Sequence, residues 1–339
     1  MSESPIRVGV VGLGFMGRTH LGAYAAANAA GERNRLVAVC DRDAARRRGD
    51  LQAAGNLQTE SGQFDPEAVA GYAEPMELFA DAQVDLVSIC THTPTHVPLA
   101  IAALEAGKHV LVEKPVAVCS ADAQRLVDAA AASDRICMPA MCVRFWPGWD
   151  VLLAALQDGR HGALRSLVLR RLGTRPDWSG GFYEDSHASG GALFDMHVHD
   201  ADLVLAALGD PRRVHSAGTP DHVITRYDYG ADGPLVVAEG GWDHHPGFPF
   251  RMSFTAVFEG ATLDYDLQRD PPLSSTTGGE LAQPTLEPGD GYRGEIRALL
   301  RAVRTGDCAG LPSAVEALDV TRLIECEARS LQTGAPVDF

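Results

Sequence analysis

The chain has 339 residues, enough for about two domains, and 45% of them are apolar, as in ordinary folded proteins. Its formal net charge of −16 argues against nucleic acid and anionic membrane surfaces as partners. We find no apolar segment long enough to cross a bilayer, and we expect no signal peptide ahead of the first strand. Seven scattered cysteines without a C-x-x-C motif favour a reduced, cytoplasmic protein with buried thiols.

The first predicted element is an apolar, β-branched strand at 8–11 that runs into a glycine-rich turn. Gly12 permits the tight turn, Gly14 lets a pyrophosphate approach the backbone, and Gly17 lets the next helix pack on the strand. An anion would bind the N–H groups at the start of that helix, at the positive end of its dipole. The motif therefore predicts dinucleotide binding, the alternative being a glycine-rich turn in another α/β protein.

The second predicted strand, at 36–40, ends at an acidic residue that bears on cofactor choice. Asp41 is placed to bind the ribose 2′-OH and would repel a 2′-phosphate, which favours NAD over NADP. Arg42 follows directly and is a candidate to bind that phosphate or to stack on adenine, so NADP stays possible.

The remainder of the first 140 residues alternates predicted strands with predicted helices, apart from a polar surface insertion that extends to about residue 70. Helices are predicted at 43–51, 75–81, 96–106 and 121–132, and strands at 84–90, 109–112 and 135–140. This alternation indicates a parallel, doubly wound sheet, in which ligands bind at the carboxyl ends of the strands. The glycine turn, Asp41, the loop 91–96 and Lys114 all fall at those ends, so they converge on one site.

The pattern changes after about residue 141. Helices are predicted at 147–157, 191–208, 292–304 and 312–332, with a loop at 271–288. Strands are predicted at 164–172, 214–217, 223–229, 235–240, 251–258 and 262–265, which favours a mainly antiparallel sheet. We therefore predict an α/β protein with an N-terminal Rossmann domain at 1–140 and a C-terminal α+β domain at 141–339. The helix at 312–332 is a candidate to pack back on the Rossmann domain.

The predicted helix at 191–208 contains candidate catalytic residues. In one continuous helix Asp195 and His199 lie one turn apart on one face, with Asp202 beside them and His197 nearly opposite. That arrangement disfavours a metal site at the His-x-His pair, and we expect no metal. The carboxylate can instead orient the imidazole, which suits proton transfer to or from an alcohol. The alternative is a capped helix with a buried Asp–His hydrogen bond.

Lysine occurs only twice in the chain, at Lys108 and Lys114. A lysine can lose its proton once partly buried, whereas arginine cannot, so a lysine kept at a strand end indicates a functional amine. We interpret Lys108 as chance retention in a turn. Lys114 is placed to hydrogen-bond the reacting oxygen while His199 takes or returns its proton and the nicotinamide carries the hydride.

Three motifs together resemble the glucose–fructose oxidoreductase/inositol dehydrogenase/MocA (Gfo/Idh/MocA) family over nearly the whole chain. They are G-x-G-x-x-G at 12–17, Glu113-Lys114-Pro115, and Asp195-x-x-x-His199. The resemblance implies NAD(P)-dependent oxidation or reduction of sugars, polyols, inositols or their derivatives. It also implies an open-faced C-terminal sheet, homodimers or homotetramers formed through that sheet, and a cis peptide before Pro115. Lys114 and His199 are then the acid–base pair, and Asp195 orients the histidine.

The cofactor-binding residues follow from the same resemblance and from the strand ends. They are Gly12, Gly14, Phe15, Met16, Gly17, Asp41, Arg42, Thr91, His92, His96, Glu113, Lys114, Pro115 and Arg144. For Arg144 the alternative is a surface cation. The chain departs from the family at His92, where relatives usually carry proline, and at His197, where they often carry a small residue. Candidates to line a sugar site, or to be core or loop residues, are Trp178, Trp242, His244 and His245.

Two other functions use the same residues. One is an NAD-dependent glycosidase that oxidises its substrate transiently, eliminates a substituent and returns the hydride, with no net consumption of NAD. The other is a non-enzymatic NAD-binding sensor, which would have no need of a lysine–aspartate–histidine set.

Overall fold

A computed structural model describes residues 4–51, 62–177 and 181–339. The chain divides into two compact units. The first unit comprises Met1–Cys142 and Asp290–Leu318, and the second comprises Val143–Gly289 and Asp319–Phe339.

The first part of the chain alternates strands with helices, as predicted. The strands are β1 (Ile6–Val11), β2 (Asn34–Cys40), β3 (Ala70–Tyr72), β4 (Leu86–Ile89), β5 (His109–Val112) and β6 (Cys137–Pro139). The helices are α1 (Phe15–Ala29), α2 (Ala44–Arg47), α3 (Pro75–Ala80), α4 (His96–Glu105) and α5 (Ser120–Ala131). The strands pair in parallel in the order β3-β2-β1-β4-β5-β6, which confirms the predicted parallel sheet.

The central strands of this sheet are buried on both faces. Leu86 and Val87 of β4, and Val110 and Leu111 of β5, have no exposed surface, although successive side chains of a strand point to opposite sides of the sheet. Parallel strands covered by helices on both faces require such continuous apolar runs. The continuous apolar runs of β1, β4 and β5 therefore suit these strands to the interior of the sheet.

Helix α2 is shorter than the predicted helix at 43–51. The Asp43 side chain accepts a hydrogen bond from the Ala45 N–H and caps its start. Gly49 has φ +85, outside the helical region, so the helix ends before it. The polar stretch that follows lies in part outside the described residues, at 52–61. It leads into β3, a short edge strand that its composition did not indicate.

The second part of the chain supplies the remaining elements. Its helices are α6 (Trp149–Asp158), α7 (Ser186–Ser189), α8 (Gly191–Asp195), α9 (Val198–Leu208), α10 (Gly291–Thr305) and α11 (Ala314–Thr333). Its strands are β7 (Leu164–Leu172), β8 (Arg213–Thr219), β9 (His222–Asp228), β10 (Leu235–Gly241), β11 (Arg251–Phe258), β12 (Ala261–Asp266), β13 (Leu273–Thr277), β14 (Glu280–Ala282) and β15 (Val337–Asp338). By residue number, α10 belongs to the first unit, and the boundary between the units falls within α11.

The second unit is built on a nine-stranded sheet in the order β14-β13-β12-β11-β7-β10-β9-β8-β15. All its pairings are antiparallel except the one between β7 and β10, which confirms the predicted α+β class. Its strands alternate buried and exposed residues. One face packs inward, and the other leaves Val168, Ile224 and Leu235 exposed, so the sheet is open-faced.

The predicted helix at 191–208 is wrong in one respect, because the chain forms two helices there. The N–H groups of Met196 and His197 both donate to the Ala192 carbonyl at 2.9 Å. The bond from His197 spans five residues instead of four, so the helical turn is wider here, as in a π-type turn. Asp195 ends α8, and His199 lies in the first turn of α9. The break turns the His197 side chain inward, where it meets a buried carboxylate.

The predicted loop at 271–288 is also wrong in part, because it contains the hairpin β13–β14. Its two-residue turn is Gly278-Gly279, with φ +61 and +86, and Thr277 pairs with Glu280 across it. Two positive φ values in succession are typical of a type I′ hairpin turn. The glycine, serine and threonine content of the segment concealed its strands.

The burial of the cysteines agrees in part with the prediction of buried thiols, because Cys308 is exposed. All seven cysteines are free, and Cys40, Cys90, Cys142 and Cys326 are buried. Burial is the main cause that raises the pKa of Cys40 to about 12, so this thiol stays protonated. Among the described helices, none combines the length and the apolar character that crossing a bilayer requires.

Two alanine substitutions in the glycine motif distinguish a glycine that close packing requires, Gly17, from one that has open space beside it, Gly14. In Gly17→Ala the new Cβ would lie 1.9 Å from the Gly12 carbonyl oxygen, whereas in Gly14→Ala it meets no atom within 4 Å. We expect Gly17→Ala to cost about 3 kcal/mol or more, which lowers the thermal midpoint by roughly 6–12 °C. Gly14→Ala, the matched control, should stay within about 1 kcal/mol of wild type. Equal midpoints for the two variants in thermal unfolding would contradict the packing role of Gly17.

Candidate active site

The glycine turn after β1 forms an open cradle at the start of α1. Gly12 has φ +87, and a Cβ there would lie 2.5 Å from the Cys90 carbonyl oxygen, so only glycine fits. Gly14 is the N-terminal cap of α1, and space lies open where its Cβ would be. Phe15 and Met16 are the first residues of α1 and are half-buried. The N–H groups at a helix start suit a phosphate, and the open space at Gly14 leaves room for one, so these residues fit a dinucleotide.

Asp41 is fixed beside this turn. Its Oδ2 accepts a hydrogen bond from the Leu13 N–H at 2.8 Å, and its Oδ1 accepts one from the Asp43 N–H at 2.9 Å. Only 10% of its side chain is exposed, whereas Arg42 is exposed. The carboxylate therefore has one fixed position next to the cradle, as a ribose-binding acid requires.

A buried hydrogen-bond chain joins α1 to the end of β5. His20 Nε2 lies 2.9 Å from Glu113 Oε1, and Cys90 Sγ lies 3.5 Å from His20 Nδ1. Because burial raises the pKa of Cys90, its thiol is the donor, and His20 carries its own proton on Nε2, toward Glu113. Glu113 Oε2 accepts from the Lys114 N–H at 3.1 Å. The backbone N–H of the candidate catalytic lysine is thus held by a buried carboxylate.

Two carboxyl groups near His20 differ in charge. Burial alone would raise the pKa of Glu113, but the hydrogen bond from His20 lowers it, so Glu113 is ionised. Glu295 of α10 lies 3.9 Å from His20 Nε2, and neither of its oxygens has a hydrogen-bond partner among the described residues. Burial, followed by the negative charge of Glu113, raises the pKa of Glu295 well above its usual range. Glu295 is therefore the neutral member of the pair.

His96 connects the turn after β4 to the turn after β5. Its Nδ1 lies 2.8 Å from the Pro115 carbonyl oxygen and its Nε2 lies 2.9 Å from that of Thr91. Burial lowers the pKa of His96, against the opposing effect of these carbonyls. Both ring nitrogens of this predicted cofactor ligand are thus directed at backbone carbonyls, and a neutral ring donates to one of them, so the ring packs between the two turns.

The two turns themselves carry the remaining predicted cofactor residues of the first unit. The peptide between Lys114 and Pro115 is cis, as the family resemblance implied. The Thr95 hydroxyl lies 2.7 Å from the Thr91 hydroxyl, and burial lowers the pKa of His92. Lys114 is half-buried at the carboxyl end of β5, on the same sheet edge as the glycine turn. The first unit therefore collects the predicted residues at one edge.

In the second unit, Asp195 is half-buried at the end of α8, and 8% of His199 is exposed at the start of α9. Because the helix is interrupted between them, their spacing is not that of the continuous turn predicted from sequence. Asp202, one turn after His199 in α9, receives Nε and Nη2 of Arg144 at 2.8 and 2.6 Å. Arg144, predicted to contact the cofactor, thus forms a buried bidentate ion pair beside His199.

His197 belongs to a separate buried network. Its Nε2 lies 2.8 Å from Glu327 Oε2 and 3.1 Å from the Tyr227 hydroxyl. Burial alone would lower the pKa of His197, but the charge and hydrogen bond of Glu327 raise it. Thr225 and Tyr227 also donate to Glu327, so this carboxylate is fully satisfied. His197 is therefore part of a hydrogen-bond network in the core of the second unit.

The candidates for a sugar site separate into core and surface. Trp242 is fully buried, packs with Ala192 and Met196, and donates its Nε1–H to Asp221 at 2.7 Å. His244 is half-buried and His245 is exposed. Trp178 lies outside the described residues.

Sequence reasoning assigned no role to His20, Glu295 or Arg171. Arg171 forms a buried ion pair with Asp200 of α9 at 3.0 Å. His20 stands three residues after the last glycine of the motif, and this spacing was the available signal. Glu295 and Arg171 are distant in sequence from the groups that they face, so no local pattern indicated them.

Known proteins resemble this chain in sequence and in fold. A family model described as "Oxidoreductase family, NAD-binding Rossmann fold" matches residues 6–141, and one described as "GFO/IDH/MocA C-terminal domain" matches residues 150–247. Inositol 2-dehydrogenase 2 of Saccharopolyspora erythraea is 27% identical over 98% of this chain and 96% of its own. D-xylose 1-dehydrogenase (NADP(+)) 2 of Haloferax volcanii is 27% identical over 79% and 84%. A structure of levoglucosan dehydrogenase with NADH and levoglucosan covers 99% of both chains, with a TM-score of 0.81 and 20% identity.

Replacement of Glu295 by glutamine tests the buried neutral carboxyl. The folded state keeps the Glu295 proton at pH values where the unfolded chain has lost it, so wild-type stability falls as pH rises above about 4.5. Glu295→Gln removes this loss. Its stability advantage should grow with pH, by up to about 1.4 kcal/mol per pH unit.

The measurement is urea unfolding between about pH 5 and pH 8. Glu280→Gln, at an exposed position in β14, is the matched control and should follow wild type. A Glu295→Gln profile parallel to wild type would show that the buried carboxyl is ionised.

Proposed function

Since the chain belongs to the Gfo/Idh/MocA family of oxidoreductases, we propose that it transfers a hydride between a nicotinamide cofactor and a carbon of a sugar, polyol, inositol or derivative. The reacting carbon bears a hydroxyl in one direction and a carbonyl in the other. The observation that carries this proposal is the half-buried Lys114 at the carboxyl end of β5, on the same sheet edge as the glycine cradle. Relatives named for activity on D-xylose and inositol support the substrate class.

The cofactor is proposed to lie along that sheet edge. The N–H groups after Gly14 would hold the pyrophosphate, and Asp41 would bind the adenosine ribose. When bound, NAD supplies the carbon that accepts the hydride. Because the Asp41 carboxylate is fixed by the Leu13 and Asp43 N–H groups, it would repel a 2′-phosphate, and we propose NAD as the preferred cofactor.

Lys114 is proposed to act on the reacting oxygen. Its ammonium group would donate a hydrogen bond to that oxygen and stabilise the negative charge that develops there. Glu113 would position Lys114, because its Oε2 accepts a hydrogen bond from the Lys114 N–H while its Oε1 is held by His20. His96 contacts the neighbouring Pro115 carbonyl through its Nδ1.

His199 is proposed to move the proton. In oxidation its imidazole would take the hydroxyl proton as the carbon loses its hydride, and in reduction it would return that proton. Asp195 is proposed to orient the imidazole. The buried pair of Arg144 and Asp202 lies in and beside α9, one turn from His199, and fixes the helix that carries it.

A cofactor-reduction screen tests the reaction class. We expect purified protein with NAD to accumulate reduced cofactor, seen by its absorbance, with at least one sugar, inositol or sugar acid. With that substrate, KM for NAD should be lower than KM for NADP, because of Asp41. Release of a cleaved substituent without net cofactor reduction would indicate the glycosidase instead, and cofactor binding without any turnover would indicate a sensor.

Lysine substitutions test the assignment of Lys114. Lys114→Met should lower kcat by about 10²-fold or more, because it removes a charge that acts in the transition state. NAD affinity, measured by calorimetry, should change little. The control is Lys108→Met at the chain's other lysine, whose Nζ donates to the Asp81 and Val84 carbonyls. It should lower the thermal midpoint yet retain kcat. Full activity in Lys114→Met would refute the assignment.

A further inference from the structure

Three potential metal ligands meet at one end of the β9–β10 pair in the second unit. His222 is the first residue of β9, and Asp243 and His244 follow the last residue of β10. Antiparallel pairing of His222 with Gly241 brings these chain positions together. One ligand atom from each of the three side chains lies within 4.8 Å of the other two.

Carboxylates lie at both ring nitrogens of His222. Its Nδ1 is 2.7 Å from Asp243 Oδ1, and its Nε2 is 3.3 Å from Glu239 Oε1. A neutral imidazole carries one N–H, so it can donate to only one of these carboxylates. The other contact then places a nitrogen lone pair against a carboxylate oxygen unless a second proton or a metal ion lies between them.

Glu239 completes the arrangement typical of a metal-binding histidine. Its Oε2 is held by Arg170 Nε at 2.7 Å, which leaves Oε1 to accept from His222 Nε2. A carboxylate at the far nitrogen fixes the tautomer and leaves the near nitrogen free to bind metal. For His222 the near nitrogen is Nδ1, which faces Asp243.

His244 presents its Nδ1 to the same carboxylate. This nitrogen is buried, lies 3.8 Å from Asp243 Oδ1, and has no hydrogen-bond partner among the described residues. The ring stacks on Phe248 with centroids 4.0 Å apart, which fixes its plane. A buried polar atom without a hydrogen bond is costly unless something else binds it.

We propose that His222 Nδ1, His244 Nδ1 and an Asp243 carboxylate oxygen bind one divalent transition-metal ion, of the class to which zinc belongs. Two imidazoles and a carboxylate suit zinc and leave a fourth position open. In a tetrahedral zinc site the ligand atoms lie about 3.3 Å apart. The 2.7 Å separation would lengthen and the 3.8 Å separation would shorten, each by about half an ångström, which side-chain rotation supplies.

The surroundings of the cluster favour a site over a chance grouping. A Cβ at Gly241 would lie 2.8 Å from the His222 ring, so glycine is required for the ring to occupy this place. The His222 side chain is 29% exposed and that of His244 is 22% exposed, so the open position can be reached from solvent. A bound ion would join the start of β9 to the segment after β10. The site does not depend on the proposed catalytic residues.

Calorimetric titration of untagged, chelator-treated protein with zinc chloride tests the proposal. We expect saturable binding of one ion per chain, and a rise in the thermal midpoint on zinc addition. His222→Ala and His244→Ala should each weaken binding by at least about tenfold. The matched control is His245→Ala, an exposed neighbour outside the cluster, which should bind as wild type.

A second readout covers the case in which a histidine variant folds poorly. Asp243→Asn keeps the size of the side chain and should also weaken binding, and Co²⁺ in place of zinc should give the visible spectrum of a tetrahedral site with nitrogen and oxygen ligands. Absence of saturable binding would overturn the proposal. So would equal affinity in the His222, His244 and His245 variants, because it would indicate an adventitious ion only.

Discussion

The buried hydrogen bond between His20 and Glu113 is the interaction on which the first unit's site depends. His20 has no exposed surface and only 5% of the Glu113 side chain is exposed. Each polar group therefore depends on the hydrogen bond to the other to offset the free-energy cost of its removal from water. Through this bond the first helix and the fifth strand are held together. The same carboxylate then fixes the backbone at Lys114. A lysine on a flexible stem becomes useful for catalysis only when its origin is fixed in this way.

Close backbone approach provides the second constraint on this edge. Helix α1 can carry His20 to Glu113 only because Gly17 allows the helix to approach the Gly12 carbonyl. The glycine motif is therefore both the proposed cradle for phosphate and a packing device. Sequence reasoning treated these as separate tasks of separate glycines, and the structure joins them in one turn. The sheet edge and its polar groups are thus produced together by the chain near its N-terminus.

Local patterns were sufficient for most of the fold and for placing the candidate site residues at the ends of its strands and helices. Buried strands, the glycine turn and Asp41 are all encoded within short stretches of sequence, so they were predictable. The break between α8 and α9 was not, because Glu327, the buried carboxylate that His197 meets there, lies far along the chain. The neutral Glu295 is similar, since its effect depends on α10 reaching His20. The hairpin at Gly278-Gly279 was missed because composition alone does not distinguish a turn from a loop.

The proposed reaction requires Lys114 and His199 to act on a single oxygen atom of the substrate. The most direct measurement is a crystal structure of the complex with NAD and a substrate that reduces it. We predict that Lys114 Nζ and a ring nitrogen of His199 both lie about 2.6–3.2 Å from the reacting oxygen. A complex in which either group lies beyond the reach of that oxygen, with another side chain in its place, would contradict the proposed mechanism.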